Sequence, residues 1–155
     1  MIPTKVKTVL ESNGLTALEF EPGSTPTSEL AAQQINCQVG QIAKSMLFKG
    51  KDGVFRLIVC AGDLRVHNNK LKNTLGVKAR MATAEETETI TGFQPGAVCP
   101  FGVNTVKIFI DISLKRFDTI YPAAGTNASG VPVNFETLKQ ITDALECDVM
   151  QESII

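Results

Sequence analysis

Apolar residues recur along the chain in two rhythms, one helical and one alternating. Ile2, Val6, Val9 and Leu10 share one face of a helix over residues 2–12, and Asn13-Gly14 stops it. Leu15 to Phe20 reads as a short strand. Thr25-Pro26 has the form of an N-cap followed by proline at the first helical position, with Glu29 in the first turn. The helix it predicts runs through Leu30, Ala31 and Ile35 to about Cys37. A hairpin follows: Ile42 to Phe48, a turn at Lys49-Gly50-Lys51-Asp52-Gly53, and a return strand from Val54 to Ala61. The return strand is almost continuously apolar, as a central strand covered on both faces would be.

Further on, Asn68 or Asn69 caps a helix containing Leu71 and Leu75, which Gly76 closes. Thr83-x-x-Glu86 is a capping box for another helix, reaching about Ile90. A glycine- and proline-rich loop spans Thr91 to Gly102. Val106 to Ile112 is a strand, Ser113 to Arg116 a turn or short helix, and Thr119 to Ala123 another strand. Gly125 to Gly130 forms a small polar loop, and Val131-Pro132-Val133 a short edge segment. Asn134 caps a final helix carrying Phe135, Leu138, Ile141 and Leu145 at helical spacing. Helices and strands thus interleave without internal repeat. They predict an α/β or α+β fold, a single domain over 1–155 with one mixed sheet surrounded by helices.

Composition narrows the function. Hydrophobic residues make up 43% and charged residues 20% of the 155 positions, enough for one core without staples. Four cysteines (Cys37, Cys60, Cys99, Cys147) show no CxxC pair and accompany a single histidine, so neither a metal site nor a disulfide framework is expected. No cofactor is implied. No run approaches the roughly 20 apolar residues that cross a bilayer, and the N-terminus has no apolar signal region; the expected location is the cytoplasm. A net charge of −1 argues against a protein that tracks long nucleic acid, DNA included. Any nucleic-acid contact should be small, local or shared with a partner.

Two features carry candidate chemistry. Alternation puts Lys44, Met46 and Phe48 on one strand face and Ser45, Leu47 and Lys49 on the other. Lys44 is either a strand-end lysine whose stem packs while its ammonium reaches water, or a compact charge directed into a cleft. In Thr91 to Gly102, three glycines and two prolines fix an unusual backbone path. That path is either a shaped connection or a set of N–H groups presented to an anion or a developing oxyanion.

Taken in order, the Lys44 strand, Ala61-Gly62-Asp63-Leu64-Arg65-Val66, the Lys70-Leu71 helix, Thr91-Gly92-Phe93 and Gly96-x-x-x-Pro100-Phe101-Gly102 resemble the YbaK/ProX family. That family comprises free-standing trans-editing proteins and the related editing domain inserted in bacterial prolyl-tRNA synthetases. The resemblance covers roughly residues 25 to 145. It implies a fold like that of the synthetase-associated domain and a hydrolase that deacylates mischarged aminoacyl-tRNA. It also implies the aminoacyl-tRNA acceptor end as partner, with an aminoacyl-tRNA synthetase as a candidate second partner. The family's functional lysine falls on Lys44, and its loop on Gly96, Ala97, Val98, Cys99 and Pro100, continuing into Phe101 and Gly102. By this resemblance Lys44 engages the acceptor-end nucleotide or phosphate, and the loop's backbone holds the aminoacyl group. For water attack on the ester, backbone N–H groups of Gly96 to Val98 are the expected donors to the developing charge. Some relatives carry an acidic residue after the late strand. Here Gly125 to Gly130 has none, leaving Gly125, Asn127 or Ser129 to line the pocket.

Other candidates have plainer readings. His67 precedes a helix with no evident partner and reads as a surface or capping residue. Cys99 lacks a histidine partner and reads as pocket lining rather than nucleophile. Asp63 reads as a partner for loop amides, with Arg65 paired to it or to phosphate. Lys70, Lys72, Lys78 and Arg80 form a local basic stretch, either a solvated face or a contact with the acceptor-stem backbone. The rival to a hydrolase is a non-catalytic tRNA- or synthetase-binding module; a small-molecule binding domain is a third possibility. If the first is right, Lys44 and Gly96 to Pro100 should border one open cavity.

Overall fold

The computed structural model describes residues 1–152. In chain order its elements are α1 (Thr4–Ser12), β1 (Leu18–Glu19), α2 (Ser28–Ile35), β2 (Ile42–Gly50), β3 (Phe55–Ala61), β4 (Leu64–Val66), α3 (Asn68–Leu75) and β5 (Ala79–Met81). They continue with α4 (Ala84–Thr91), β6 (Lys107–Asp111), β7 (Tyr121–Pro122), β8 (Ser129–Gly130), α5 (Phe135–Thr142), β9 (Leu145–Cys147) and β10 (Met150–Glu152). Short 3-10 turns precede β2 and follow β6.

The apolar run read as a central strand is one. Leu57 to Ala61 of β3 are buried, with β2 antiparallel on one side and β6 parallel on the other. The main sheet runs β5-β2-β3-β6-β9, with β7 added alongside β2. Its pairings are both parallel and antiparallel, which makes it mixed. Two pairs lie apart from it, β1 with β8 and β4 with β10.

Alternation then builds two cores. Ala43, Leu47, Leu57, Val59, Ala61, Ile108 and Ile110 face α1, the 93–103 segment and α5. Phe48, Ile58, Cys60 and Phe109 face the other way, against Leu71 of α3 and the Cys147–Met150 segment. Buried Asp111 closes the second side: it accepts N–H bonds from Ser113 (3.0 Å) and Val149 (2.7 Å), so the carboxylate is matched by donors.

One edge of β2 is shared. β7 pairs with Ile42 and Ala43 at its start, and β5 pairs with Phe48 to Gly50 at its end. Between them, among the described residues, no strand covers Lys44 to Leu47 on that side; Leu47 O accepts instead from Ala82 N–H at 2.8 Å.

Several local expectations are corrected. The strand read over 15–20 shrinks to Leu18–Glu19. α2 is capped by Thr27, whose side chain accepts from Leu30 N–H, and not by Thr25, which is buried and tied to Ser129. α3 is capped by His67 rather than Asn68 or Asn69; its Nδ1 accepts from Lys70 N–H at 3.2 Å. α5 stops at Thr142, where Asp143 turns left-handed, and Leu145 belongs to β9. Strands β4, β5, β9 and β10 have only three residues each, too few to show a rhythm. The Thr83–Glu86 capping box, in contrast, forms in full.

That box fixes a pH response. Glu86 accepts from Thr83 N–H (2.9 Å) and, at 2.9 and 3.1 Å, from Arg80. The guanidinium first, then the amide, hold its carboxyl down at about 2. A depressed acid stabilises the fold above its unfolded pKa and loses that contribution as pH falls through the folded one. Glu86→Gln should therefore lower the melting temperature by a few degrees at neutral pH. The gap to wild type should close as pH falls from about 5 to about 2, followed by circular dichroism. A gap that widened on acidification would contradict the pairing.

Candidate functional site

The gap in the β2 edge opens into a cavity of about 220 Å³. The N-terminal end of α2 and the segment before it contribute Thr25, Pro26, Thr27 and Ser28 to its wall. Lys44 and Ser45 come from β2, Gly96 and Val98 from the glycine-proline loop, and Tyr121, Ala123 and Ser129 from the late strands. Hydroxyls, backbone and small apolar side chains dominate; no carboxylate and no histidine lines it.

Lys44 and Ser45 occupy the open edge but opposite faces. Lys44 pairs with Cys60 and Ser45 with Val59, so the lysine stem lies on the α3 side and the serine on the Gly96 side. The Lys44 ammonium donates to Leu64 O at 2.8 Å. One of three donors is thus used, and no described carboxylate lies within ion-pair distance. Lys44 also lines a second hollow of about 310 Å³ on the α3 side, with Met46, Phe48, Arg65, Arg80 and Met81. It therefore stands between two open spaces. Ser45 lines the cavity too, a role that strand alternation does not single out. Its Oγ is buried and has no hydrogen-bond partner among the described residues. The available signal was one polar position on a face otherwise set by Ala43 and Leu47.

Gly96 has φ +86°, and a Cβ there would lie 3.2 Å from Pro26 O. Both the left-handed backbone and the close approach call for glycine. Ala97 N–H is spent inside the turn, on Gln94 O at 2.9 Å. The N–H groups of Gly96 and Val98 have no acceptor among the described residues. Of the three N–H groups read from sequence, Gly96 and Val98 therefore remain without an acceptor among the described residues, and Ala97 leaves the set.

Other predicted site residues lie elsewhere. Cys99 and Phe101 are fully buried in the core. Pro100, Phe101 and Gly102 border a different groove, between α1 and α5. Gly125, Asn127 and Ala97 border a hollow behind the loop, with Phe93 and Pro95. Ser129 does line the cavity, but its Oγ is already bonded to Ala124 N–H (3.0 Å) and Thr126 Oγ1 (2.9 Å). Asp63 pairs with Arg116, not Arg65: the guanidinium donates at 2.7 and 3.1 Å and holds that carboxyl below its ordinary range. Lys70 is tied to Asp148 and Met150 O.

Buried thiols make poor nucleophiles. Burial pushes Cys60 and Cys99 up to about 12 and Cys147 upward as well. Cys37 alone of the four is partly exposed. Titration with a disulfide reagent at pH 8 should thus modify Cys37 quickly in the native protein and the other three only after denaturation. Rapid native modification of Cys99 would overturn its placement.

Among the described residues, no helix is long and apolar enough to cross a membrane. Comparison with known proteins gives a concordant picture. Residues 22–141 match the family model described as an aminoacyl-tRNA editing domain. The chain is 40% identical over 125 residues to YwhH, an uncharacterized protein of Bacillus subtilis, covering 80% of this chain and 79% of that one. It is 37% identical over 111 residues to the proline–tRNA ligase of Bacillus licheniformis, covering 70% of this chain but 19% of the ligase. A crystal structure titled as a candidate trans-editing enzyme for prolyl tRNA synthetase superposes with a TM-score of 0.86 at 31% identity. That match covers 97% of this chain and 99% of the other.

Proposed function

Since the chain belongs to the aminoacyl-tRNA editing domain family, with an α+β fold shared with trans-editing structures, we propose that it deacylates a mischarged aminoacyl-tRNA in trans. The observation that carries this reading is that Lys44 borders the same cavity as two loop residues, Gly96 and Val98, whose N–H groups lack acceptors.

The proposed chemistry follows from what lines the cavity. A volume of about 220 Å³ suits an aminoacyl group, so the terminal adenosine lies outside, across the mouth at Lys44. The two free ammonium donors engage its phosphate or ribose as a compact charge. A water oxygen attacks the ester carbonyl carbon, and Gly96 and Val98 N–H groups steady the oxyanion that forms. The bond from carbon to ribose oxygen then breaks, that oxygen takes a proton, and free amino acid and tRNA leave. No side-chain base lines the cavity, and the activated ester makes one dispensable. Proton transfer passes through water and the substrate's own amine or hydroxyl.

The hollow on the α3 side supports a way to hold RNA despite a net charge of −1. Lys44, Arg65 and Arg80 line it, and Arg80 also lines an adjoining hollow with Lys49, Lys51 and Lys78. Glu86 neutralises part of this set, pairing with Arg80 and Lys49. The remaining cations form a short track for the acceptor-stem backbone, a local contact of the kind the overall charge requires. The proposed place of action is the cytoplasm, where tRNA is charged.

Assaying release of alanine, cysteine, serine and threonine from tRNAs mischarged with each tests this. Turnover of at least one is expected. Lys44→Ala should lower kcat/KM on that substrate by roughly 10- to 100-fold, the span of one hydrogen bond to a charged group. Gly96→Ala should lower it too, through the displaced turn. Full activity in Lys44→Ala refutes the lysine's role. Tight tRNA binding without turnover of any substrate would favour a non-catalytic module instead.

A further inference from the structure

One wall of the cavity is a strap, residues 20–27, that leads from β1 into α2. Burial does little to hold it: Glu21, Pro22, Gly23, Pro26 and Thr27 are exposed, and Thr25 is its buried residue. Hydrogen bonds hold it instead, and within the described residues its bonds to the body of the protein converge on residues 127–129. Phe20 N–H donates to Ala128 O (2.8 Å), and Ser129 N–H donates to Thr25 Oγ1 (3.1 Å). The other two fall on one residue. Asn127 accepts from Gly23 N–H through its side-chain Oδ1 (3.0 Å) and from Thr25 N–H through its backbone O (2.7 Å). The strap then meets the loop where Pro26 packs against Gly96.

We infer that Asn127 is a positioning residue. It does not touch the cavity; it fixes the strap that places Thr25 to Ser28 and, through Pro26, the turn at Gly96. This inference rests on the deacylase reading for its consequence in activity, but not for the anchoring itself. The side-chain bond uses the amide oxygen as an acceptor, so a carboxylate can replace it and an alkyl group cannot. Asn127 is exposed, so substitution there leaves the cores untouched.

Asn127→Ala and Asn127→Asp distinguish this from a direct substrate contact. In Asn127→Ala, the amide of Gly23 should exchange hydrogen faster than in wild type. KM for the edited tRNA should rise roughly 2- to 10-fold, the range spanned by loss of one neutral hydrogen bond, with a smaller change in kcat. Asn127→Asp should restore both the slow exchange and the KM. Unchanged exchange at Gly23 in Asn127→Ala overturns the inference, whatever the activity. So does an Asn127→Asp protein whose Gly23 amide exchanges as fast as in Asn127→Ala, since the carboxylate keeps the acceptor oxygen. A wild-type protein that turns over no mischarged tRNA would instead sink the deacylase reading. The exchange measurement would still decide whether Asn127 anchors the strap.

Discussion

Two strands cannot pair with the same stretch of one edge. β7 takes the start of β2 and β5 takes its end, and they run in opposite senses relative to it. The uncovered length between them holds Lys44 and Ser45. An exposed strand edge is ordinarily a hazard because its polar groups seek partners. Here the vacancy is short and walled by α2 and the glycine-proline loop, so it becomes a recess. The rest of the site depends on this arrangement. The lysine and serine are set by a central sheet, and what faces them comes from α2, the glycine-proline loop and the short late strands.

That division gives the recess one stiff wall and one softer one. β2 is backed by β3 and by two apolar cores, whereas the strap is held by a few hydrogen bonds near the surface. Segments with little burial open at lower free energy than the cores do. A recess of this kind admits a ligand without disturbing the sheet. Its lining also suits an ester already prone to attack, for which placement and polarised N–H groups matter more than a strong base.

The mixed α+β architecture was legible from periodicity, because long apolar runs such as Phe55 to Ala61 leave little choice. So were the capping box at Thr83 and the stop at Gly76, which depend on neighbouring residues alone. Three-residue strands were not, since their pairing is decided by distant segments. Within the site, Lys44 and Gly96 were visible as oddities and do border one cavity. The loop does not act as one unit: its backbone turns Ala97, Cys99 and Phe101 away from the cavity that Gly96 and Val98 line, and sequence spacing does not reveal that rotation. Thr25, Ser28, Ser45 and Tyr121 carry no site signal in the sequence, because common polar residues acquire meaning only from the surface they line.

Lys44 and Ser45 are neighbours in sequence and both border the cavity, but from opposite faces of β2. Of the two only Lys44 also borders the hollow on the α3 side; the β2–β3 register fixes that arrangement. That register is counted from the hairpin at Lys51 to Gly53, at the far end of both strands. Hairpin tips usually tolerate gain or loss of a residue. In this molecule such an indel has a remote cost: sliding β2 by one position would exchange the ammonium and the hydroxyl. The length of that turn therefore bears on a recess at the opposite end of both strands.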